Sequence, residues 1–396
     1  MHSKSFANLP LFAVSKRMAP QRLTFIDILR GIACIWMIET HAVNAFLDGA
    51  FKNNPLFSVL QISNGFVAVA FIFCAGAGFR LALDSKINKY VSFGKPFWSY
   101  VRRLLFILLI GYSLQPPLFS FRRMLNFSPE QWAVFLDCNV LQLIVASSFI
   151  ALAGLLITRS LSRMILFAWL ALLSIGICTP LIWSIDPTII AQIPTFFRMY
   201  LTTYPQASFP LFPWSVYYFA GYIITHYFLI AESRKERAKH YLILGPILMA
   251  IVYACSKIPW TYYDANLNWW LVSPMHMLFR IAGVLTLFAF LYLIQDRLKG
   301  PVSRMLSLSG KESLVIYVGQ GIIIYGAPIS GKVLLAILPV YVNPFHIFLL
   351  TLSVLGVVYG YAYVWNAYKR NMPKHAEWSL RLSTLIYMLT FLLKKH

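Results

Sequence analysis

Residues 25–46 read FIDILRGIACIWMIETHAVNAF, an apolar run of membrane-spanning length with a carboxylate, a guanidinium and an imidazole set into it. In a helix Arg30 and His41 are about three turns and ~16 Å of rise apart and point the same way. Charged or titratable groups at bilayer depth are costly and face a cavity or a partner. This segment therefore reads as one wall of a polar site inside a membrane protein. Asp27 lies three residues before Arg30, a spacing that allows an ion pair along one helical face, and Asn44 lies three after His41. Glu39, two residues from His41, points elsewhere on an ideal helix.

Composition extends that reading to the whole chain. Apolar residues make up 59% of its 396 residues and charged ones 12%; the mean hydropathy is +0.68. A soluble core cannot absorb that much apolar surface. Spanning windows recur at 24–46, 59–80, 98–117, 136–158, 164–184, 211–231, 240–258, 272–295, 312–332 and 345–367. The stretch 377–393 is short, carries Arg381 and reads as lying along the interface rather than crossing. The expected fold is all-α and polytopic, with about ten to eleven transmembrane helices. Residues 1–22 read as a basic cytoplasmic tail without a cleavable signal, and 23–396 as a single membrane domain.

The net charge of +21 has a topological cause and does not point to nucleic acid. Lys4, Lys16, Arg17 and Arg22 precede the first window, and Arg80, Lys86, Lys89, Lys95, Arg102 and Arg103 surround the second joint. Alternate joints after that are basic too, at 159–163, 234–239, 297–311 and 369–374. The positive-inside rule then places the N-terminus and these joints in the cytoplasm, with an even number of crossings before residue 370. Arg30 falls in the inner half of its helix and His41 near the outer end.

Cys34, Cys74, Cys138, Cys178 and Cys255 lie in or beside apolar runs without CxxC spacing, so neither a disulfide framework nor a metal site is expected. No nucleotide loop, G-x-S-x-G or H-E-x-x-H pattern is present; the glycines of CAGAGFR (74–80) suit close helix packing. His41, with an ordinary pKa near ~6.5, is the best general base in the chain. His276 and Arg280 repeat the one-face arrangement four residues apart in the outer half of the eighth window. His226, His240 and His346 read as structural or interfacial. Arg80, Arg102 and Arg103 serve as inner-face anchors, or as ligands for the phosphates of a cytoplasmic cofactor. Outer joints carry Trp183, Tyr200, Tyr204, Trp260, Tyr262, Tyr263, Trp269 and Trp270, an interfacial belt that could also stack on a sugar.

Several stretches, in order, resemble the bacterial relatives of the heparan-α-glucosaminide N-acetyltransferase catalytic domain, with the acyltransferase-3 proteins as nearby kin. FIDILRGIACIWMIETH (25–41) is similar to their first helix, with an R-x10-H pattern. NGFVAVAFIFCAGAGFRLAL (64–83) is similar to the second and DCNVLQLIVASSF (137–149) to the fourth. FPWSVYYFAGY (212–222) resembles a Pro-Trp-Ser helix start and SLSGKESLVIYVGQ (307–320) a late helix. The resemblance implies a membrane enzyme in the bacterial inner membrane. It would move an acyl group, most often acetyl, from cytoplasmic acyl-CoA to a hydroxyl or amino group of a carbohydrate or envelope glycan on the other side. It makes His41 the catalytic histidine, with Arg30 and Asp27 beside it. Gln320 stands where the late helix often has histidine, which puts a second basic role there in doubt.

Asn64, Gln142, Trp214 and Tyr317 are candidate oxyanion donors or donor-site residues, and Asp137, His276 and Arg280 candidate acceptor contacts. The same buried charges would also suit a transporter or flippase for a sugar- or lipid-linked substrate, although no inverted repeat is visible. The oligomeric state, homo-oligomer or monomer, is left open.

Overall fold

The computed structural model describes residues 23–84, 86–115, 119–202, 207–256, 269–326 and 343–394. The predicted tail 1–22 and the aromatic residues Tyr204, Trp260, Tyr262 and Tyr263 lie outside them, as does the side chain of Trp269. Among the described residues the regular structure is helical, with no strand. The long helices are α1 (Thr24–Phe46), α2 (Pro55–Leu83), α3 (Lys95–Ser113), α4 (Val140–Thr158), α5 (Leu161–Trp183), α6 (Leu211–Leu229), α7 (Arg234–Cys255), α8 (Pro274–Ile294), α9 (Pro301–Lys311), α10 (Ser313–Tyr325), α11 (Pro344–Asn371) and α12 (Pro373–Leu393). Six of them, α2, α4, α5, α7, α8 and α11, are long and apolar enough to cross a membrane. The chain is an all-α polytopic integral membrane protein. Each of the ten predicted windows overlaps one of the long helices, because an apolar backbone in lipid must satisfy its own hydrogen bonds.

Glycine lets the backbones touch where the bundle is tightest. A Cβ on Gly31 would lie 1.9 Å from the Leu306 carbonyl oxygen, and one on Gly310 would lie 1.8 Å from that of Asp27, so α1 and α9 close on each other from both sides. Gly76 and Gly221 do the same for α2 and α6, against the carbonyls of Tyr218 and Phe73. The expected packing role of the CAGAGFR glycines holds at Gly76.

The basic joint 297–311 contains a helix: Pro301 at the first turn and Lys311 in the last turn bound the 11-residue helix α9, which packs against the start of α1. The stretch 377–393 falls within α12 (Pro373–Leu393), which is not among the six helices long and apolar enough to cross a membrane. Gly310 on Asp27 ties α9 to the start of α1, and Lys369 at the end of α11 binds Glu312 just after α9, so these ends share the bundle's basic side. From there α12, 21 residues and ~31 Å long, runs to the opposite end of α3. There the Tyr387 hydroxyl donates to the Ser113 carbonyl at 2.5 Å and the Ser120 hydroxyl to the Lys394 carbonyl at 2.6 Å.

The joint between α9 and α10 is held by Glu312. Its side chain is 4% exposed and accepts hydrogen bonds from Lys369 Nζ and Asn366 Nδ2, each at 2.6 Å. Lys369→Met leaves that carboxylate with one neutral donor and is expected to cost ~1–3 kcal/mol, read as a lower thermal midpoint in detergent. Glu312→Gln, which removes the buried charge itself, should cost less; the reverse order would refute this account of the joint.

Candidate active site

His41 lies in the penultimate turn of α1, half-buried, with Tyr325 of α10 edge-on at 5.5 Å between ring centroids. Its Nδ1 is 2.7 Å from Oε1 of Gln320, also on α10 and 1% exposed. The Gln320 amide nitrogen donates to the Tyr317 carbonyl at 3.2 Å, which orients the amide with its oxygen toward the imidazole. A carbonyl oxygen only accepts, so Nδ1 carries the proton and neutral His41 keeps its lone pair on Nε2. The side chain that departs from the late-helix pattern thus sets the tautomer of the candidate base.

The polar chain continues inward. The Tyr317 ring stacks on Phe71 with centroids 6.4 Å apart, and its hydroxyl donates to Asn139 Oδ1 at 3.3 Å. That oxygen also accepts from the Val140 amide at 2.7 Å, capping α4. Two residues back, the Asp137 carboxylate takes the Ser208 amide and hydroxyl, both at 2.8 Å. The Asp137 carbonyl accepts from Gln115 Nε2 at 3.0 Å, and Gln115 in turn accepts from Gln142 Nε2. Gln142 is fully buried and its Oε1 has no hydrogen-bond partner among the described residues. The DCNVLQL motif is therefore a hydrogen-bonded brace behind the His41–Gln320 pair, and Asp137 serves within it.

Toward the basic end, Arg30 is half-buried and donates from Nη2 to the Cys74 carbonyl at 3.2 Å. A Cβ on Gly78 would meet the same nitrogen at 3.6 Å, so the guanidinium lies along the glycine stretch of α2. Arg30 is in none of the ion pairs among the described residues, and the spacing-based Asp27–Arg30 pair is not among them. Asp27 itself is buried. The grouping of Arg80 with Arg102 and Arg103 separates: Arg80 is 2% exposed, ion-paired to Asp84 at 3.1 Å and donating from Nε to His226 Nδ1 at 3.0 Å. Arg102 and Arg103 are exposed on α3.

On the other flank of α1, Trp36 Nε1 donates to Asn64 Oδ1 at 2.8 Å, which engages one predicted oxyanion donor. Glu39 sits beside them, with Oε2 buried and without a hydrogen-bond partner among the described residues. Trp214 packs between Phe209 and Tyr217, at 4.6 and 5.8 Å between ring centroids. His276 and Arg280 do meet: Arg280 Nε donates to His276 Nε2 at 3.0 Å. Trp36 escaped the sequence reading because an indole in an apolar run looks like core; its buried N–H needing an acceptor was the available signal. His346 is held at its helix start by Asn343, and Trp183 Nε1 donates to the Phe212 carbonyl at 3.1 Å.

A tautomer-fixed histidine on the first helix of a membrane bundle, braced by a polar chain, suits proton abstraction in group transfer. A search of curated proteins gives no match. The family model described as "Heparan-alpha-glucosaminide N-acetyltransferase, catalytic" matches residues 22–263, more than half the chain, including Arg30, His41, Asn64, Arg80, Asp137, Gln142 and Trp214. His276, Arg280 and Gln320 lie beyond the matched stretch. On that match the chain belongs to the heparan-α-glucosaminide N-acetyltransferase catalytic family.

Proposed function

We propose that the protein transfers an acyl group, acetyl in the first instance, from cytoplasmic acyl-CoA to a hydroxyl or amino group of a carbohydrate or envelope glycan on the outer side of the bacterial inner membrane, with its N-terminus in the cytoplasm. The observation that carries this is the Nδ1–H bond from His41 to Gln320, which leaves Nε2 as an open base. In the transfer, Nε2 takes the proton of the acceptor O–H or N–H while the acceptor atom bonds to the thioester carbon. The C–S bond then breaks and the imidazolium returns the proton to the departing thiolate. Gln320 stays bonded throughout and holds the ring in place. Arg30, a cation without an acidic partner among the described residues, supports a donor lying with its phosphates toward the basic end. The ~16 Å from Arg30 to His41 along α1 is about one leaflet, a span suited to a pantetheine arm.

Radiolabelled acetyl-CoA supplied to the purified protein in detergent, with amino sugars and neutral sugars as acceptors, tests this reading. Label transfer or thioester hydrolysis is expected, and the absence of both binding and turnover would overturn it and favour transport. Gln320→Leu is expected to lower kcat about 10- to 100-fold with KM for acetyl-CoA little changed. Gln320→Asn should recover part of the loss. Equal kcat in wild type and Gln320→Leu would remove Gln320 from the mechanism.

A further inference from the structure

Arg280 is a cation inside an apolar helix with no acidic partner among the described residues, whose ion pairs are Arg80–Asp84, Lys239–Glu236, Lys369–Glu312 and Arg381–Glu377. An uncompensated charge at bilayer depth is expensive and is retained where something meets it. The surrounding residues hold Arg280 without neutralising it. Nε donates to His276 at 3.0 Å, Nη1 donates to the Ile62 carbonyl at 3.1 Å, and the guanidinium lies 4.8 Å from the centroid of the Phe66 ring. Gly65 completes the seat: a Cβ there would fall 1.8 Å from Nη1 and 2.2 Å from both Cζ and Nη2, so a side chain at 65 would displace the group. Nη2 and the second proton of Nη1 make no hydrogen bond within the described residues and are not buried without a partner. The half-exposed fork therefore offers two adjacent N–H donors, the geometry that takes an oxyanion side-on.

Position decides which anion. Arg280 is in the second turn of α8, at the end away from the basic joint after residue 294, whereas Arg30 and Arg80 lie toward the basic end. Donor phosphates belong at that basic end. We infer that Arg280, seated on Gly65 and held by His276, binds the anionic group of the acceptor, so that the sugar acted on carries a carboxylate, sulfate or phosphate. The anion site stands on Arg280 alone; its assignment to an acceptor rests on the acyl-transfer reading above.

The test is equilibrium binding of glucuronate and glucose 6-phosphate, against neutral glucose, to the full-length protein in phosphatidylcholine nanodiscs. Wild type should bind the anionic sugars about tenfold or more tightly than glucose. Arg280→Gln should erase the preference, Gly65→Ala should weaken it severalfold, and Arg280→Lys should keep part of it, since charge remains and the fork is lost. Thermal melts of all three variants separate a lost seat from a lost fold. Equal binding of charged and neutral sugars by wild type, or an unchanged preference in a folded Arg280→Gln, overturns the anion site. A preference that disappears when phosphatidylglycerol is added to the discs gives the fork to a lipid headgroup and overturns the acceptor assignment. Acetyl-CoA turnover is measured separately. Anion binding without turnover refutes the acyl-transfer reading, and turnover with no anion preference refutes only this inference.

Discussion

His41→Ala is expected to lower acyl transfer about 10²- to 10⁴-fold, with acetyl-CoA affinity changed only severalfold. The proton of the acceptor's hydroxyl or neutral amine must leave as the new bond forms, and Nε2 of His41 is the open imidazole lone pair that the Gln320 bond defines. Neither His276 nor His226 can substitute. Their ring nitrogens accept from Arg280 and Arg80, each at 3.0 Å, and they belong to other helices. His41→Gln should be as inactive as the alanine variant, because an amide can hydrogen-bond but cannot take the proton. In wild type the rate should fall as pH drops through the pKa of the imidazole, since only the neutral ring is a base. Single-turnover label transfer measured across pH checks both statements; retention of a tenth of the activity in His41→Ala would sink the assignment.

Gly310→Val carries the largest expected effect on folding, a loss of about 3 kcal/mol or more. A Cβ at 310 would lie 1.8 Å from the Asp27 carbonyl oxygen, and its counterpart at Gly31 would meet the Leu306 carbonyl at 1.9 Å. Backbone cannot swing aside as a side chain can, so α1 and α9 would have to separate. α1 carries His41, and α9 leads directly into α10 with Gln320. The same variant should therefore lose activity in whatever fraction remains folded. Gly321→Ala on α10 is the control: nothing lies within 4 Å of its added Cβ, and alanine suits a helix interior, so stability should hold or rise by up to ~1 kcal/mol. The ratio of folded to aggregated protein by size-exclusion chromatography, with thermal midpoints, reads both variants. A Gly310→Val protein as stable as wild type would refute the close-contact account.

The parts of this protein visible in its sequence are those that neighbouring residues decide. Apolar runs of about twenty residues become helices because lipid offers the backbone no other partner, so the windows coincide with helices whatever lies beside them. Arg30 and His41 share a face of α1 for the same local reason. The family resemblance is likewise a string of local motifs, four of which fall within the matched residues 22–263. Where charge interrupts the apolar pattern, as in α12 with Glu377 and Arg381, local reading says less, and only the tertiary structure brings the end of that helix to Ser113 and Ser120.

What the tertiary structure alone decided is which polar groups meet. Gln320 lies 279 positions from His41, yet it sets the imidazole tautomer. Arg80 is committed to Asp84 and His226, while Arg30 and Arg280 remain without acidic partners among the described residues. Sequence spacing reaches across one helix and no further. Contacts between helices depend on how glycine contacts such as Gly31 on Leu306 and Gly310 on Asp27 set the approach and rotation of each pair. An imidazole becomes a base, and a guanidinium an anion site, only once that packing has fixed the partner it has and the one it lacks.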